Sequence, residues 1–506
     1  MKRARRFHEN LTRILAPTQL VPPLRRGINF NLPSNKMNPR ARSRRTESGT
    51  HLSILPIGEA QLKKLTLIFL VATLLSVGVV AQTQTPTPTV TAAAPAATVS
   101  NVRQEAFEMV WNTVREKHFD PDFGGVDWDK VREQYAPKVA AVKSDNELYI
   151  VLQAMLGELH QSHFSIIPPE AIVDDGSKEP KGGGAGLDIR LIDGEAIINH
   201  VESGSKASAA GLRAGFIIKK IDDTTMDQIV GRFAQSTESP AIKRTRITRF
   251  ALAKINGKPE TTVRLTVTDE SDRTREVIVE REKLKGEMSP RFGNFPPQYM
   301  EFESKRLAGG IGYIRFNIFV MPLMEKIRAA IRSMSDATGI IIDLRGNPGG
   351  FGGMASGIAG ALEAKQVSLG AMKLRSGRQA FIVFPQTNPY LGPVAILVDG
   401  GSASTSEIFA AGLQEIGRAS VVGEQTMGAA LPSIFGKLPT GALFQYAIAD
   451  FKTPNGVLIE GLGVKPNIEV KLTRRALLEG RDPQLDAAVS LINQKHSKQE
   501  RVPAGR

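Results

Sequence analysis

The stretch IIIDLRGNPGG, Ile340 to Gly350, decides the fold. Its run of isoleucines reads as a strand buried on both faces, as in a largely parallel sheet. Gly346, Asn347, Pro348, Gly349 and Gly350 follow at once, and a turn of that composition needs backbone angles open chiefly to glycine. Such a turn leaves N–H groups pointing into a cleft. There they can stabilise a developing oxyanion or cradle a phosphate, although the Lys-Ser/Thr ending of a phosphate-binding loop is missing.

Outward from this turn, IGYIRF (311–316), MEKIRAAIRSM (324–334), a helix running through Leu362 and VAILVDG (394–400) alternate strand with helix. That order predicts an α/β core, with chemistry at the strand ends. One such end is VDGGSASTSEIFAAGL, where a strand stops at Asp399, two glycines turn the chain, and Ser402, Ser404, Thr405 and Ser406 precede a helix expected from near Ser406. A helix N-terminus favours negative charge on a nucleophile. Ser406 followed by Glu407 is equally what an N-cap requires.

Four segments in order, IIDLRGNPGG, GGSASTSEIFA, ASVVGEQTMG and IEGLGVKPNIEV, resemble the carboxyl-terminal processing (tail-specific) serine peptidases and the tricorn core, and the likeness runs from about Val99 to Val470. It implies an α/β (α+β multidomain) chain with a crotonase/ClpP-like ββα core, Ser404 as nucleophile, and oxyanion donors at the N–H of Thr405 and in the Gly349/Gly350 turn. One departure is large. Where the processing peptidases carry a lysine in TFGKG as general base, this chain reads Thr426-Met427-Gly428-Ala429-Ala430. Lys437 lies eight residues beyond the expected place, which does not suit a fixed dyad. The tricorn branch is similar in another respect, an SH pair after Leu-Gly-Glu, here Ser162-His163, and a glutamate before a Gly-x-Gly-Val turn, here Glu460. The resemblance therefore implies the tetrad Ser162, His163, Ser404 and Glu460. Histidine, with a reference pKa of about 6.5, can take a proton near neutral pH.

Residues 180–285 resemble a PDZ domain. Gly186, Leu187, Asp188 and Ile189, after Ala185, stand where that family's loop receives a peptide carboxylate and its edge strand accepts a peptide. Ala209 to Gly215 matches the family's AGL turn, with Phe216 where aspartate is usual, and TTVRLTVTD and REVIVERE close the domain. Residues 227–256 have no clear counterpart in it.

Between Val99 and Pro169, Phe107, Val110, Trp111 and Val114, then Val139, Val142, Leu148, Leu152, Met155 and Leu159, recur at helical spacing. They predict a helical domain over 99–175, its last helix running into LGELHQSHF before Pro168-Pro169. The peptidase core is expected over 290–495.

Residues 1–64 form a basic extension with no period, and they hold 14 Lys/Arg against 3 Asp/Glu, most of the chain's formal +14. Folded charge is thus nearly balanced and only 6% of residues are aromatic, so nucleic acid is not an expected partner. Leu65 to Ala81 is an uncharged apolar run suited to a signal segment or anchor, with a cleavage-like Val79-Val80-Ala81; translation beginning near Met37 would put it nearer the start. A Thr/Pro/Ala linker fills 82–98. Together these predict an exported, periplasmic or extracellular protein, with a possible membrane tether through 65–81, whose partners are protein or peptide substrates. The absence of cysteine excludes disulfides and thiolate chemistry. No metal-ligand spacing or dinucleotide fingerprint occurs, and no cofactor is expected. Two rival readings are an exported, catalytically inactive PDZ scaffold, motivated by the missing lysine, and a crotonase-type reaction on thioesters, which the serine cluster and the PDZ-like segment oppose.

Overall fold

The computed structural model describes residues 96–500, apart from 173–179, 181, 235 and 237. The basic extension, the apolar run at 65–81 and the linker up to residue 95 lie outside the described residues. Among the described residues no helix is long and apolar enough to cross a membrane.

Three helices come first: α1 (Ala96–Lys117), α2 (Trp128–Ala140) and α3 (Asp145–Gly157). Asp127 and Ser144 cap the second and third by accepting from Lys130 N and Glu147 N. Their apolar faces share one core, with Phe107, Val110, Val114, Leu148, Leu152 and Met155 all fully buried. Helix α3 stops at Gly157, earlier than the sequence pattern predicts. The reason is local, since His160 and His163 take φ of 51° and 62°, a left-handed backbone that cannot continue a helix. The proline pair comes after the chain has already turned.

The chain then makes β1 (Ser165–Ile167) and enters a five-stranded antiparallel meander: β2 (Leu187–Ile192), β3 (Glu195–Val201), β4 (Ile217–Ile221), β5 (Thr262–Thr268) and β6 (Thr274–Glu280), with Thr224–Thr225 added to β4. Strand β2 lies at an edge of the sheet. Between β4 and β5, the stretch without a counterpart folds into the short helix Met226–Gly231 and α4 (Pro240–Ile255). Ser239 caps α4 and Pro240 opens it, a start matched to the missing first-turn N–H partners. Ile247, Ala251 and Ile255 seal α4 onto the sheet.

The last part is an α/β layer. A sheet runs β7 (Phe302–Arg306), β8 (Gly312–Phe316), β9 (Ile340–Asp343), β10 (Val394–Val398), β11 (Ser420–Gly423) and finally Ile468–Glu469, parallel except for the β7/β8 pair. Helices α5 (Met321–Ser333), α6 (Gly353–Ala359) and α7 (Thr405–Glu415) contribute to the core on one face, while Ala488 and Ile492 of α8 (Pro483–Glu500) cover the other. The isoleucine run explains why both faces need cover: Ile340 and Ile342 enter the first core and Ile341 the second. Each such side chain contributes roughly 1.5–3 kcal/mol by leaving water.

A hairpin, β12 (Ser433–Lys437) and β13 (Leu443–Ala447), reaches back to the helices. Strand β1 pairs antiparallel with β13, Ile166 opposite Phe444. Leu431, Leu438, Ala442, Phe444 and Ala447 join the apolar cluster of α1 to α3. The N-terminal helices thus complete their core with residues from the α/β part, and this seam holds His163 in place.

Candidate active site

The two turns singled out by their glycines meet above the end of the parallel sheet. Asp399, buried just after β10, accepts the N–H groups of Gly346 and Gly401 at 2.8 Å each and so ties the turn after β9 to the turn before α7. Arg190 of β2 pairs with the same carboxylate. Asn347, which the sequence shows only as a turn residue, is the second fastener. Its amide donates to Phe316 O at 2.9 Å, and its Oδ1 accepts from Gly349 N at 2.9 Å and from Ser406 Oγ at 3.1 Å.

The hydroxyl cluster divides cleanly. Ser402 Oγ donates to Leu344 O at 2.7 Å, Thr405 Oγ1 to Gly350 O at 2.9 Å and Ser406 Oγ to Asn347 O at 2.9 Å. Each holds one turn to the other. Ser404 lines a cavity of about 800 Å³ instead. Its backbone has φ 54° and ψ −118°, a conformation costly for any residue with a side chain, by roughly 1–3 kcal/mol, and one that collects at functional sites. Helix α7 begins directly after it, at Thr405.

Gly349 and Gly350 are required by close approach. A Cβ on Gly349 would lie 2.7 Å from Ser404 Cβ, and one on Gly350 would lie 2.3 Å from Phe319 O. Of the two, Gly349 donates to Asn347. Among the described residues no protein acceptor takes the N–H of Gly350 or of Thr405.

Beneath the serine sits Glu407, which the sequence offers only as a capping residue. It is fully buried. Its carboxylate accepts from Ser404 N at 3.0 Å, Gly428 N at 2.7 Å, Ala429 N at 2.9 Å and Thr426 Oγ1 at 2.5 Å. Burial pushes its pKa up to about 7 against the pull of these donors. Ala429 O in turn accepts from Ser404 N at 2.7 Å. The segment where the processing peptidases keep their lysine therefore lies against the serine, with an alanine methyl at that place. Lys437 is in β12, exposed and outside the cavity.

The other wall comes from the turn after α3. Ser162 Oγ donates to Glu460 Oε2 at 2.9 Å and lies 2.7 Å from His163 Nδ1. Glu460 Oε1 accepts from Ser162 N at 2.8 Å, and its Oε2 from Ala430 N at 2.9 Å. Burial raises the Glu460 pKa against those bonds and lowers that of His163 to about 4. Since the Ser162 hydrogen goes to Glu460, its oxygen must accept from His163 Nδ1–H, which leaves Nε2 without a hydrogen. His163, Ser162, Glu460 and Ser404 all line the same cavity. No hydrogen bond joins His163 to Ser404 in this arrangement. Among the described residues no group of three His, Asp or Glu side chains is placed to hold a metal ion.

The carboxylate-binding loop expected over Gly186 to Ile189 forms the start of edge strand β2. Gly186 has φ 74°, Leu187 and Asp188 pair with Val201 and His200, and Asp188 Oδ1 accepts from Ile189 N at 2.9 Å. None of these four residues lines the cavity.

The sequence profile of Peptidase family S41 matches residues 310–470, which hold both turns, Ser404 and Glu460. The chain carries a family S41 peptidase core. Ahead of this S41 core, the Tricorn protease C1 domain profile matches residues 100–157, most of helices α1 to α3. Among curated relatives, the carboxyl-terminal-processing protease of Synechocystis is 25% identical over 79% of this chain and 88% of its own length. A putative tricorn protease homolog of Streptomyces coelicolor is 24% identical over 77% of this chain and 32% of its own. A crystal structure of mature CPAF shares the fold at 15% identity, with a TM-score of 0.57 over 79% of this chain and 98% of that one. These relatives support a serine peptidase hydrolase built on the S41 core, joined to tricorn-like helices.

Proposed function

We propose that this S41 peptidase cleaves peptide bonds with Ser404 as nucleophile and His163, not a lysine, as general base. Ser404 Oγ attacks the scissile carbonyl while His163 Nε2 takes its proton. The oxyanion is received by the N–H groups of Thr405 and Gly350, and the protonated imidazole passes the proton to the leaving amine. Water activated by His163 then releases the acyl-enzyme. Ser162 and Glu460 are positioning residues that fix the histidine tautomer and offset the imidazolium charge through the shared hydroxyl. The observation that carries this reading is the relay from Glu460 through Ser162 to His163 Nδ1, in one cavity with a serine held at φ 54°. Binding of substrate tightens the approach of His163 to Ser404, as unliganded sites often require.

The domain over 180–285 serves as a PDZ module, and the ββα core is of the crotonase/ClpP type. Edge strand β2, opening at Gly186, supports capture of a substrate C-terminus by strand addition, or use of the same module as a gate over the cleft. Substrates are then exported proteins, with 65–81 directing the chain across the membrane. A second reading, an inactive peptide-binding scaffold, is favoured by Ala429 in the lysine's place and by the open His163 to Ser404 link. Turnover of an unstructured protein such as reduced casein separates the two. Wild type hydrolyses it and Ser404→Ala does not; equal release of peptides by both, or by neither, sinks the peptidase assignment.

A further inference from the structure

Helix α4, in the stretch without a sequence counterpart, roofs the catalytic cavity. Ala241 and Ile242 pack on Ala403, Met427 and Ala429, the residues flanking the nucleophile. Ile242, Arg246 and Arg249 follow one another at helical spacing, and all line the cavity. At 1.5 Å rise per residue, Arg249 stands about 10 Å farther along the axis than Ile242.

The two arginines differ in their partners. Arg246 pairs with Glu238 at 2.7 Å. Arg249 has no carboxylate partner among the described residues. The carboxylates lining the cavity are those of Glu238 and Glu460; the first is held by Arg246 and Ser236, the second by Ser162 and Ala430. Neither is available to Arg249. Arg249 is solvent-exposed where it lines the cavity, and the protein mass around the cleft together with the charge of Arg246 holds its pKa below the usual arginine value. An uncompensated guanidinium in such a place presents a planar fork matched to a carboxylate.

We infer that Arg249 is a specificity-determining residue that binds a substrate carboxylate inside the catalytic cavity, about three residues from the scissile bond. The count follows from the 10 Å offset and about 3.3 Å per residue of extended chain. Two sources supply that chemistry: the terminal carboxylate of a short tail, or an aspartate or glutamate side chain in the substrate. The inference rests on the peptidase reading for its meaning, but its test does not require turnover.

The test uses the full chain as Ser404→Ala and measures fluorescence anisotropy with three labelled decapeptides: one with a free C-terminal carboxylate, the same peptide as its amide, and the amide with one internal Asp replacing Asn. Ser404→Ala should bind the free acid about tenfold more tightly than the amide, in keeping with a charge-assisted pair in a solvent-open cleft. With Arg249→Gln added, that ratio should fall to near one, and Arg249→Lys should restore part of it. Tighter binding of the internal Asp peptide, lost with Arg249→Gln, assigns the site to acidic side chains as well; preference for the terminal acid alone assigns it to chain ends. A ratio unchanged by Arg249→Gln, or no preference for any carboxylate before substitution, overturns the inference. A chain that binds by this rule yet never hydrolyses casein refutes the peptidase reading and leaves the carboxylate site standing.

Discussion

The two walls of the catalytic cavity are built on opposite plans. The nucleophile wall belongs to one domain: Ser404, Asn347, Glu407 and the turn at Gly349 and Gly350 lie within 61 residues of one another, fastened by buried hydrogen bonds. The base wall is assembled across the chain. His163 and Ser162 come from the turn after α3, and Glu460 comes from 298 residues beyond Ser162. What holds that wall is the β1/β13 pairing and the shared apolar cluster. A wall with its own hydrogen-bonded floor keeps its shape alone, whereas a docked wall forms only when two parts of the chain are packed together. In the proposed mechanism, activation of the serine therefore depends on docking.

The largest test of this contrast is Ser404→Ala, which removes the nucleophile and leaves both walls intact. It should lower kcat/KM for peptide hydrolysis by at least about 10⁴-fold, with circular dichroism unchanged. Next is His163→Ala, expected to cost about 10² to 10⁴-fold, the usual worth of a general base, again without loss of fold. Glu407→Ala tests the floor. It strands the N–H groups of Gly428 and Ala429 and the Thr426 hydroxyl in a buried space, at about 1–3 kcal/mol for each donor left unmet, so the melting temperature should fall by several degrees and activity with it. Glu460→Gln is gentler, because the amide oxygen can still accept from Ser162 Oγ and Ala430 N, although the charge is lost and the amide NH2 meets Ser162 N. A fall of about tenfold in kcat with little change in KM is expected, in the range of lost hydrogen bonds to charged groups.

The walls also differ in how protons act on them. Glu407, with a native pKa pushed up to about 7, holds more protons folded than unfolded, so its contribution to stability is complete below about pH 4.3 and fades as pH rises through 7. His163, lowered to about 4, has the opposite sign: its contribution is complete above about pH 6.5 and is lost as pH falls through 4. Between about pH 4.5 and 6.5 the two oppose each other. In Glu407→Gln the falling part disappears, and the melting temperature should climb with pH over that window more steeply than in wild type; a slope equal to that of wild type would show that Glu407 does not titrate there.

Much of the nucleophile wall was legible in the sequence, because its parts are contiguous and its glycines declare themselves. The strand at 340–343, the turn after it and the helix after Ser404 all stand close to where the pattern puts them, though α7 opens one residue before the expected start. Glu407 was visible only as a cap, since local spacing cannot reveal that its carboxylate turns inward to gather donors from residues 426–429. Asn347 was hidden for the same reason, its side chain bridging elements far apart in sequence. The sequence pattern carries the last helix into the turn that holds His163, although the chain leaves the helix at Gly157. Nothing in a helical period foretells two histidines at positive φ. Helix α4 was a stretch with no assigned role, and only its packing on Ala403 and Met427 places Arg246 and Arg249 over the cavity.

The claim at the centre of this account is that a histidine from the docked helical region activates Ser404. The most direct measurement is the rate at which a fluorophosphonate probe labels Ser404 between pH 3.5 and 8, in wild type and in His163→Ala. Wild type should label with a rate that rises through an inflection near pH 4 and then holds, while His163→Ala labels at least about a hundredfold more slowly at every pH above the inflection. Labelling of His163→Ala at the wild-type rate would contradict the account and return the search for the base to the core itself.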